Sequence, residues 1–266
     1  MRTYKNIISL SKNERGIWDL DTIKGCKSGL LNNQNGCYGD CYALKTAKRY
    51  GIDFSVSVER NFIDEAHKNS IVKSIEKIDM PFIRIGCTGD PSENWHHTID
   101  IISKLRTTNQ LSLFDISSKK QIVIITRHWN KLSDEQLNYI KKYNICINTS
   151  ISALDNDSLI ESCLHEYNRI KPYCKSVLRV VSCDFNEDTE QGKIMAEKQR
   201  KLFINHNIID TVFRPSYSND LVKNKIINVK KMKFMKSKLL VSKFNKKTYL
   251  GKCNKCLEMC GLNLTN

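Results

Sequence analysis

The sequence predicts an α/β protein: a partial (β/α)6 barrel with parallel strands, followed by a small Cys-rich, Lys-rich C-terminal appendage. Three observations carry that expectation. Short apolar runs alternate with longer amphipathic stretches along the first 220 residues. The six strand–helix units so formed are too few for a closed eight-stranded barrel. The composition then shifts near residue 221, dividing the chain into 1–220 and 221–266.

In chain order, strands are expected at 17–23, 82–87, 121–126, 145–151, 176–182 and 210–214. Helices are expected at 42–50, 59–78, 95–105, 133–143, 155–167 and 189–206. Ser133-Asp-Glu-Gln has the pattern of a capping box, and Asp155 or Asn156 suits the next N-cap. Strands that alternate with helices pair in parallel through crossovers, and such sheets collect ligand chemistry at the C-terminal ends of their strands. The residues there are Lys24-Gly25-Cys26, Thr88-Gly89-Asp90-Pro91-Ser92-Glu93, Arg127-His128-Trp129, Ser152, Cys183-Asp184 and Pro215-Ser216-Tyr217. Small, polar and ionisable groups therefore share one rim.

A 266-residue chain that is 40% hydrophobic can bury a real core. The sequence has no run of ~20 apolar residues, so no membrane span is expected. Residues 1–10 are basic and lack a signal peptide's apolar run and cleavage site, so a cytoplasmic protein is expected. Eleven cysteines in a reducing compartment point away from disulfides and toward metal. The net charge of +15 suits a polyanionic partner. It equally suits a coding bias, because Lys, Asn and Ile are all abundant and 32 of the 43 basic residues are Lys.

The first cysteine group is Gly25-Cys26, a ten-residue Asn- and Gly-rich spacer, Cys37-Tyr-Gly-Asp and Cys41-Tyr-Ala. Three thiolates suit a 4Fe-4S cluster with one open iron. A zinc site would need a fourth ligand, with His96 or His97 available. Cys87, Cys146 and Cys183 lie in or beside strands, where the ordinary role is a small buried hydrophobe.

The loop resembles that of the radical S-adenosylmethionine superfamily, in particular phage-associated members of unassigned function. The matching residues are Gly25-Cys26, Gly36-Cys37 and Cys41-Tyr42-Ala43, then Ile125-Thr126-Arg127 and Asn148-Thr149-Ser150-Ile151-Ser152. The likeness spans roughly the first two hundred residues. The superfamily's usual cysteine spacing is three then two residues, whereas this chain has ten then three. The resemblance implies a partial six-stranded barrel, a 4Fe-4S cluster on Cys26, Cys37 and Cys41, and S-adenosyl-L-methionine on the open iron. It further implies an electron donor that reduces the cluster and a 5′-deoxyadenosyl radical that abstracts hydrogen from substrate. Gly89 and Asp90 would then lie near the methionyl ammonium, Arg179 near the carboxylate, and Ser150, Ser152 and Ser182 near the ribose. A Gly-Asp-Pro turn and a structural ion pair are the plain readings of Asp90 and Arg179. Arg127-His128-Trp129 combines a cation, a titratable ring and a stacking surface, which suits a substrate or nucleobase.

Cys253-Asn-Lys-Cys256-Leu-Glu-Met-Cys260 is compact enough to read as a second metal site, either iron–sulfur or zinc. For zinc, His206 or Cys183 would complete the ligands. Residues 221–256 hold twelve lysines, no Asp or Glu, and the aromatics Phe234, Phe244 and Tyr249. That pattern fits a surface that tracks nucleic-acid phosphates, and equally a solvated basic face. Two functions follow: a radical enzyme modifying a nucleic acid or nucleotide, or a non-catalytic zinc-dependent nucleic-acid-binding protein.

Overall fold

The computed structural model describes residues 2–13, 15–106, 120–206, 208–228, 233–235, 238–240, 256 and 258–264. Its strands are β1 (Ser11–Lys12), β2 (Trp18–Asp19), β3 (Ile23–Lys24), β4 (Val58–Glu59), β5 (Phe82–Ile85), β6 (Gln121–Thr126), β7 (Ile145–Ile151), β8 (Lys175–Ser182), β9 (Ile208–Val212), β10 (Lys233–Met235) and β11 (Lys238–Leu240). Its helices are α1 (Lys27–Asn32), α2 (Tyr42–Arg49), α3 (Glu65–Glu76), α4 (Trp95–Arg106), α5 (Asp134–Ile140), α6 (Asp157–Ile170), α7 (Glu190–Asn205) and α8 (Asp220–Lys223).

The chain is a mixed α/β protein built on a mostly parallel sheet. The sheet runs β1-β2-β5-β6-β7-β8-β9, and only the β1–β2 pair is antiparallel. From β5 onward, neighbours in space are neighbours in sequence. With right-handed crossovers, a sheet wound in one direction carries its helices on one face.

The packing agrees with that arrangement. Ile83, Ile85, Ile122, Ile124, Ile145 and Ile147 meet Ile71 of α3, Ile99 and Ile102 of α4, Leu137 of α5 and Ile170 of α6. Farther along, Ile151, Leu178 and Val180 meet α6 and α7. The alternate residues Phe82, Val123, Cys146, Val177 and Ile209 form a second core on the opposite face. Residues 259–264 cover that core through Met259, Cys260, Leu262 and Leu264. Lys175 of β8 holds this turn by donating to the carbonyls of Leu262 (2.6 Å) and Leu264 (2.8 Å). Asn148 of β7 donates to the Cys260 carbonyl at 3.1 Å.

The expected helix over 59–78 begins only at α3, capped by Asp64, whose side chain accepts from the His67 amide at 2.7 Å. Residues 58–61 are instead held extended. Glu59 pairs with Ile23, and the Arg60 and Asn61 amides donate to Thr22 and Asn6. The expected strand over 17–23 divides between β2 and β3, which belong to different sheets. The change of composition near residue 221 falls within α8.

Gly261 sits at φ +89, and a Cβ there would lie 2.7 Å from Val177 Cγ2 and 2.9 Å from Ile209 Cδ1. Gly261→Ala is therefore expected to lift the turn off the sheet. The cost should be about 1–3 kcal/mol in chemical denaturation, from overpacking and a strained backbone together.

Candidate active site

The first cysteine group is docked on the C-terminal end of β5. The Gly25 amide donates to the Thr88 carbonyl at 3.0 Å, and Gly25 bridges Gly89 in parallel. Gly25 has φ +87, and a Cβ there would run into the Val56 carbonyl. A Cβ on Gly89 would lie 2.5 Å from Ile23 O and 2.7 Å from Gly25 O. Two residues without side chains thus let the loops touch, which sets Cys26 at the strand ends. The Cys26 amide then donates to Phe54 O at 3.0 Å, and its thiol faces Glu93 Oε1 at 3.8 Å.

Cys37 and Cys41 lie in a tight turn closed by Cys41 N to Asn35 O (3.2 Å) and Asp40 N to Cys37 O (3.3 Å). The Cys41 side chain packs against Gly36, the residue before Cys37. Burial pushes the Cys26 thiol up, with the charges of Asp90, Cys37 and Glu93 adding to the effect. Burial also pushes Cys37 up; nearby Arg127 acts in the opposite sense, and Cys41 reinforces the rise. The three thiols are thus linked electrostatically, Cys26 to Cys37 and Cys37 to Cys41. Among the described residues, no three Cys, His, Asp or Glu side chains converge at metal-ligating distance. The donor set itself is soft and anionic once deprotonated, and it suits an iron–sulfur cluster.

Two buried carboxylates organise this rim. Asp21 accepts from the amides of Gly86 (3.0 Å), Cys87 (2.7 Å) and Thr88 (3.1 Å), and from the Thr88 hydroxyl at 2.5 Å. It fixes the loop on which Gly25 docks. Sequence reasoning passed over Asp21 because it lies inside a run read as strand; the one available signal was an acid within an apolar segment. Asp90 was singled out, and it too is buried. Its Oδ1 accepts from Ser92 N (2.9 Å), Ser92 Oγ (2.8 Å) and Thr126 Oγ1 (2.7 Å), and its Oδ2 from Arg127 N (2.8 Å). Asp90 caps the turn beginning at Pro91 and ties it to the end of β6.

From Arg127 the network reaches back to the cysteine loop. Its guanidinium donates to the Tyr38 hydroxyl at 2.5 Å and pairs with Asp155, which also accepts from Ser152 N at 2.7 Å. The guanidinium stacks near Tyr38 and Trp129, 5.2 and 5.3 Å from their ring centres. Arg127 and His128, expected as substrate contacts, are only 7% and 4% exposed. The His128 ring bonds Thr149 Oγ1 at 2.9 Å, and burial lowers its pKa to about 4. Trp129 of the same triplet stays half-buried, beside Gly29 of α1.

The other expected residues are placed as follows. Ser152 donates to Val181 O at 2.7 Å and is fully buried. Ser150 and Arg179 are register partners on β7 and β8, and Arg179 donates to Thr211 Oγ1 at 3.1 Å. Buried His97 engages Arg60 O at 3.0 Å, with Glu59 at 3.8 Å, whereas His96 is exposed. Cys253 lies outside the described residues, as do most of the lysine-rich residues. Cys256 donates to Glu258 at 3.2 Å, and burial followed by Glu258 pushes its pKa to about 11. Cys260 packs on the face away from the helices, whereas Cys183 packs with Ala196 of α7 and Phe213. His206 stacks edge-on against Tyr167 at 6.2 Å. Against protein-family models, curated proteins and solved structures, the chain has no match.

The His128 shift carries a pH dependence. A ring whose folded pKa of about 4 lies below its unfolded value near ~6.5 gives stability that is complete above ~6.5. That stability is lost as pH falls toward 4. The loss should approach about 3 kcal/mol in denaturation measured between those pH values. In His128→Asn, which tolerates the residue's φ of +52, the slope should flatten.

Proposed function

We propose that the chain is a radical S-adenosylmethionine enzyme whose sheet is an open partial barrel and whose cluster is held by Cys26, Cys37 and Cys41. One observation carries this reading: the Gly25–Gly89 contact sets a three-cysteine loop on the C-terminal rim of a sequentially ordered parallel sheet. Sheets of this kind do their chemistry at that rim. Cys26, Cys37 and Cys41 would hold a 4Fe-4S cluster there, which would supply the electron for reductive cleavage of S-adenosylmethionine.

The chain's own residues have three tasks. Gly25 and Gly89 let the loop approach the sheet, and Asp21 and Asp90 hold the strand-end turns in place. Arg127 favours the charged form of Cys37 and, through Tyr38 and Asp155, ties the loop to β6 and the end of β7. Tyr42, directly after Cys41, reaches the Cys87 carbonyl. Tyr42 is largely exposed as a residue, while desolvation beside Cys87 pushes its phenol up. A nucleic acid or nucleotide as substrate rests on the lysines of residues 221–256, and a second metal site rests on Cys253, Cys256 and Cys260. The alternative of zinc at the first site, with His97 held by the Arg60 carbonyl, would draw its fourth ligand from exposed His96.

The test is anoxic purification and reconstitution of the full chain, with iron, sulfide and zinc measured per chain. Iron and sulfide with broad absorbance near ~400 nm are expected, together with reductive cleavage of S-adenosylmethionine. Replacing Cys26, Cys37 and Cys41 together by Ala should remove one cluster and all cleavage. Cys174→Ala, which lies against the helix-side core, should keep both. Zinc in place of iron, or cleavage that survives the triple change, overturns the reading.

A further inference from the structure

Helix α2 starts directly after Cys41, and the face it turns to solvent carries no acid. Its inner side is settled: Ala43, Leu44 and Ala47 pack with Phe54. Its outer side is Tyr42, Lys45, Thr46, Lys48 and Arg49, followed by Tyr50, all exposed. Positions 42, 45, 46 and 49 follow the three- and four-residue spacing that lines side chains into one stripe, with 48 and 50 alongside. Lys45 pairs with buried Asp40, and among the described residues no acid pairs with Lys48 or Arg49. Asp53, the next acid along the chain, turns to the Ser55 amide and hydroxyl. Arg2 lengthens the basic surface. Its amide donates to Gly51 O at 2.9 Å and its carbonyl accepts from Asp53 N at 2.7 Å, which lays this exposed residue along the end of α2.

Coding bias does not account for the pattern. Helices α3, α4, α6 and α7 belong to the same Lys-rich chain, yet each mixes acids with its bases. On α7, Arg200 pairs with Glu187 and Glu197, and Lys198 pairs with Asp157. Two bases in a last turn also suit the helix dipole, but that leaves the tyrosines unexplained. Tyr42 and Tyr50 are 63% and 66% exposed, at opposite ends of the stripe and about 12 Å apart along the axis. Cations that meet phosphates, set among rings that stack on unpaired bases, make a single-strand binding surface. A membrane would need apolar side chains on the outer face, and α2 turns its own inward.

We infer that the exposed face of α2, together with Arg2, docks a single-stranded nucleic acid and leads it past Tyr42, which reaches the rim at Cys87. The inference rests on the reading of a nucleic-acid partner, to which it gives a surface apart from residues 221–256. It does not rest on the metal.

The full chain, purified anoxically, is titrated into fluorescent oligouridylate across a salt series, with oligothymidylate, a DNA duplex and polyglutamate as competitors. Lys48→Glu with Arg49→Glu should weaken binding roughly tenfold or more and flatten the salt slope by about 1.4, two single-strand phosphate contacts. Lys48→Gln with Arg49→Gln, which adds no acid to the helix end, should show a smaller loss in the same direction. Tyr50→Ala should weaken binding about fivefold or more without changing the slope. Lys193→Glu with Lys201→Glu, an equal charge change at exposed positions of α7, should bind as the parent does. The stronger of the two oligonucleotides assigns RNA or DNA. Equal losses in the α2 and α7 pairs, unaltered binding by the α2 pairs, or a duplex or polyglutamate that competes as well as the single strands overturns the inference. Unaltered binding by the α2 pairs leaves the partner to residues 221–256, whereas no binding by the parent overturns both. Zinc in place of iron would overturn the radical reading and leave this binding as it is.

Discussion

Asp21 accepts hydrogen bonds from three consecutive backbone amides, and the rim of the sheet depends on that capture. A strand end is otherwise a set of unpaired amides with several conformations open to it. With residues 86–88 fixed, the Thr88 carbonyl is in place to receive the Gly25 amide, and Gly89 is in place for Gly25 to rest against. Asp90 follows directly and carries the constraint sideways to the Arg127 amide, and the Arg127 side chain carries it on to Tyr38. Cys26 and Cys37, eleven residues apart, are therefore anchored from opposite ends of one continuous polar network. A buried network of this kind stays ordered only when its members are satisfied, which makes its positions interdependent.

Two different demands meet in the same few residues. A loop resting on a strand rim keeps one shape only if it is braced, and here buried charge braces it. Buried charge is costly unless each group finds a partner. Arg127 meets that condition with Asp155 and Tyr38, and Asp90 meets it with four donors. The cysteines do not, since burial raises Cys26 and Cys37 above their ordinary range. Thiols that resist ionisation in isolation become good ligands once a cation offsets the missing hydration.

The long strands were legible because a parallel strand covered on both faces reads as an unbroken apolar run. Expected and observed bounds coincide for β6 and β7. Two helix starts were legible from side-chain chemistry: Ser133 closes its capping box, and Asn156, one of two candidates, caps α6. What failed to show was set by distant pairing. Residues 58–61 look helical, but are drawn out by Ile23, Thr22 and Asn6. The short β1 and β3 have too few residues to show a period. At the site, residue type exposed Asp90, Arg127 and His128 as unusual but said nothing of their burial. Groups that resembled ligand contacts also brace one another. Asp21, inside an apolar run, was hidden by the pattern around it.

The turn at residues 259–264 has a consequence for how the molecule is made. It covers Val123, Cys146 and Val177, yet it follows β8 by about 80 residues. At translation rates of roughly 5–20 residues per second, those side chains stand uncovered on the ribosome for on the order of 4–15 s. For that interval the nascent sheet has one face packed against helices and the other open to water. Its open face then presents the apolar side chains of Phe82, Val123, Cys146, Val177 and Ile209 to water. The tether formed by Lys175 and Asn148 therefore ends the period in which that apolar core stands open to water.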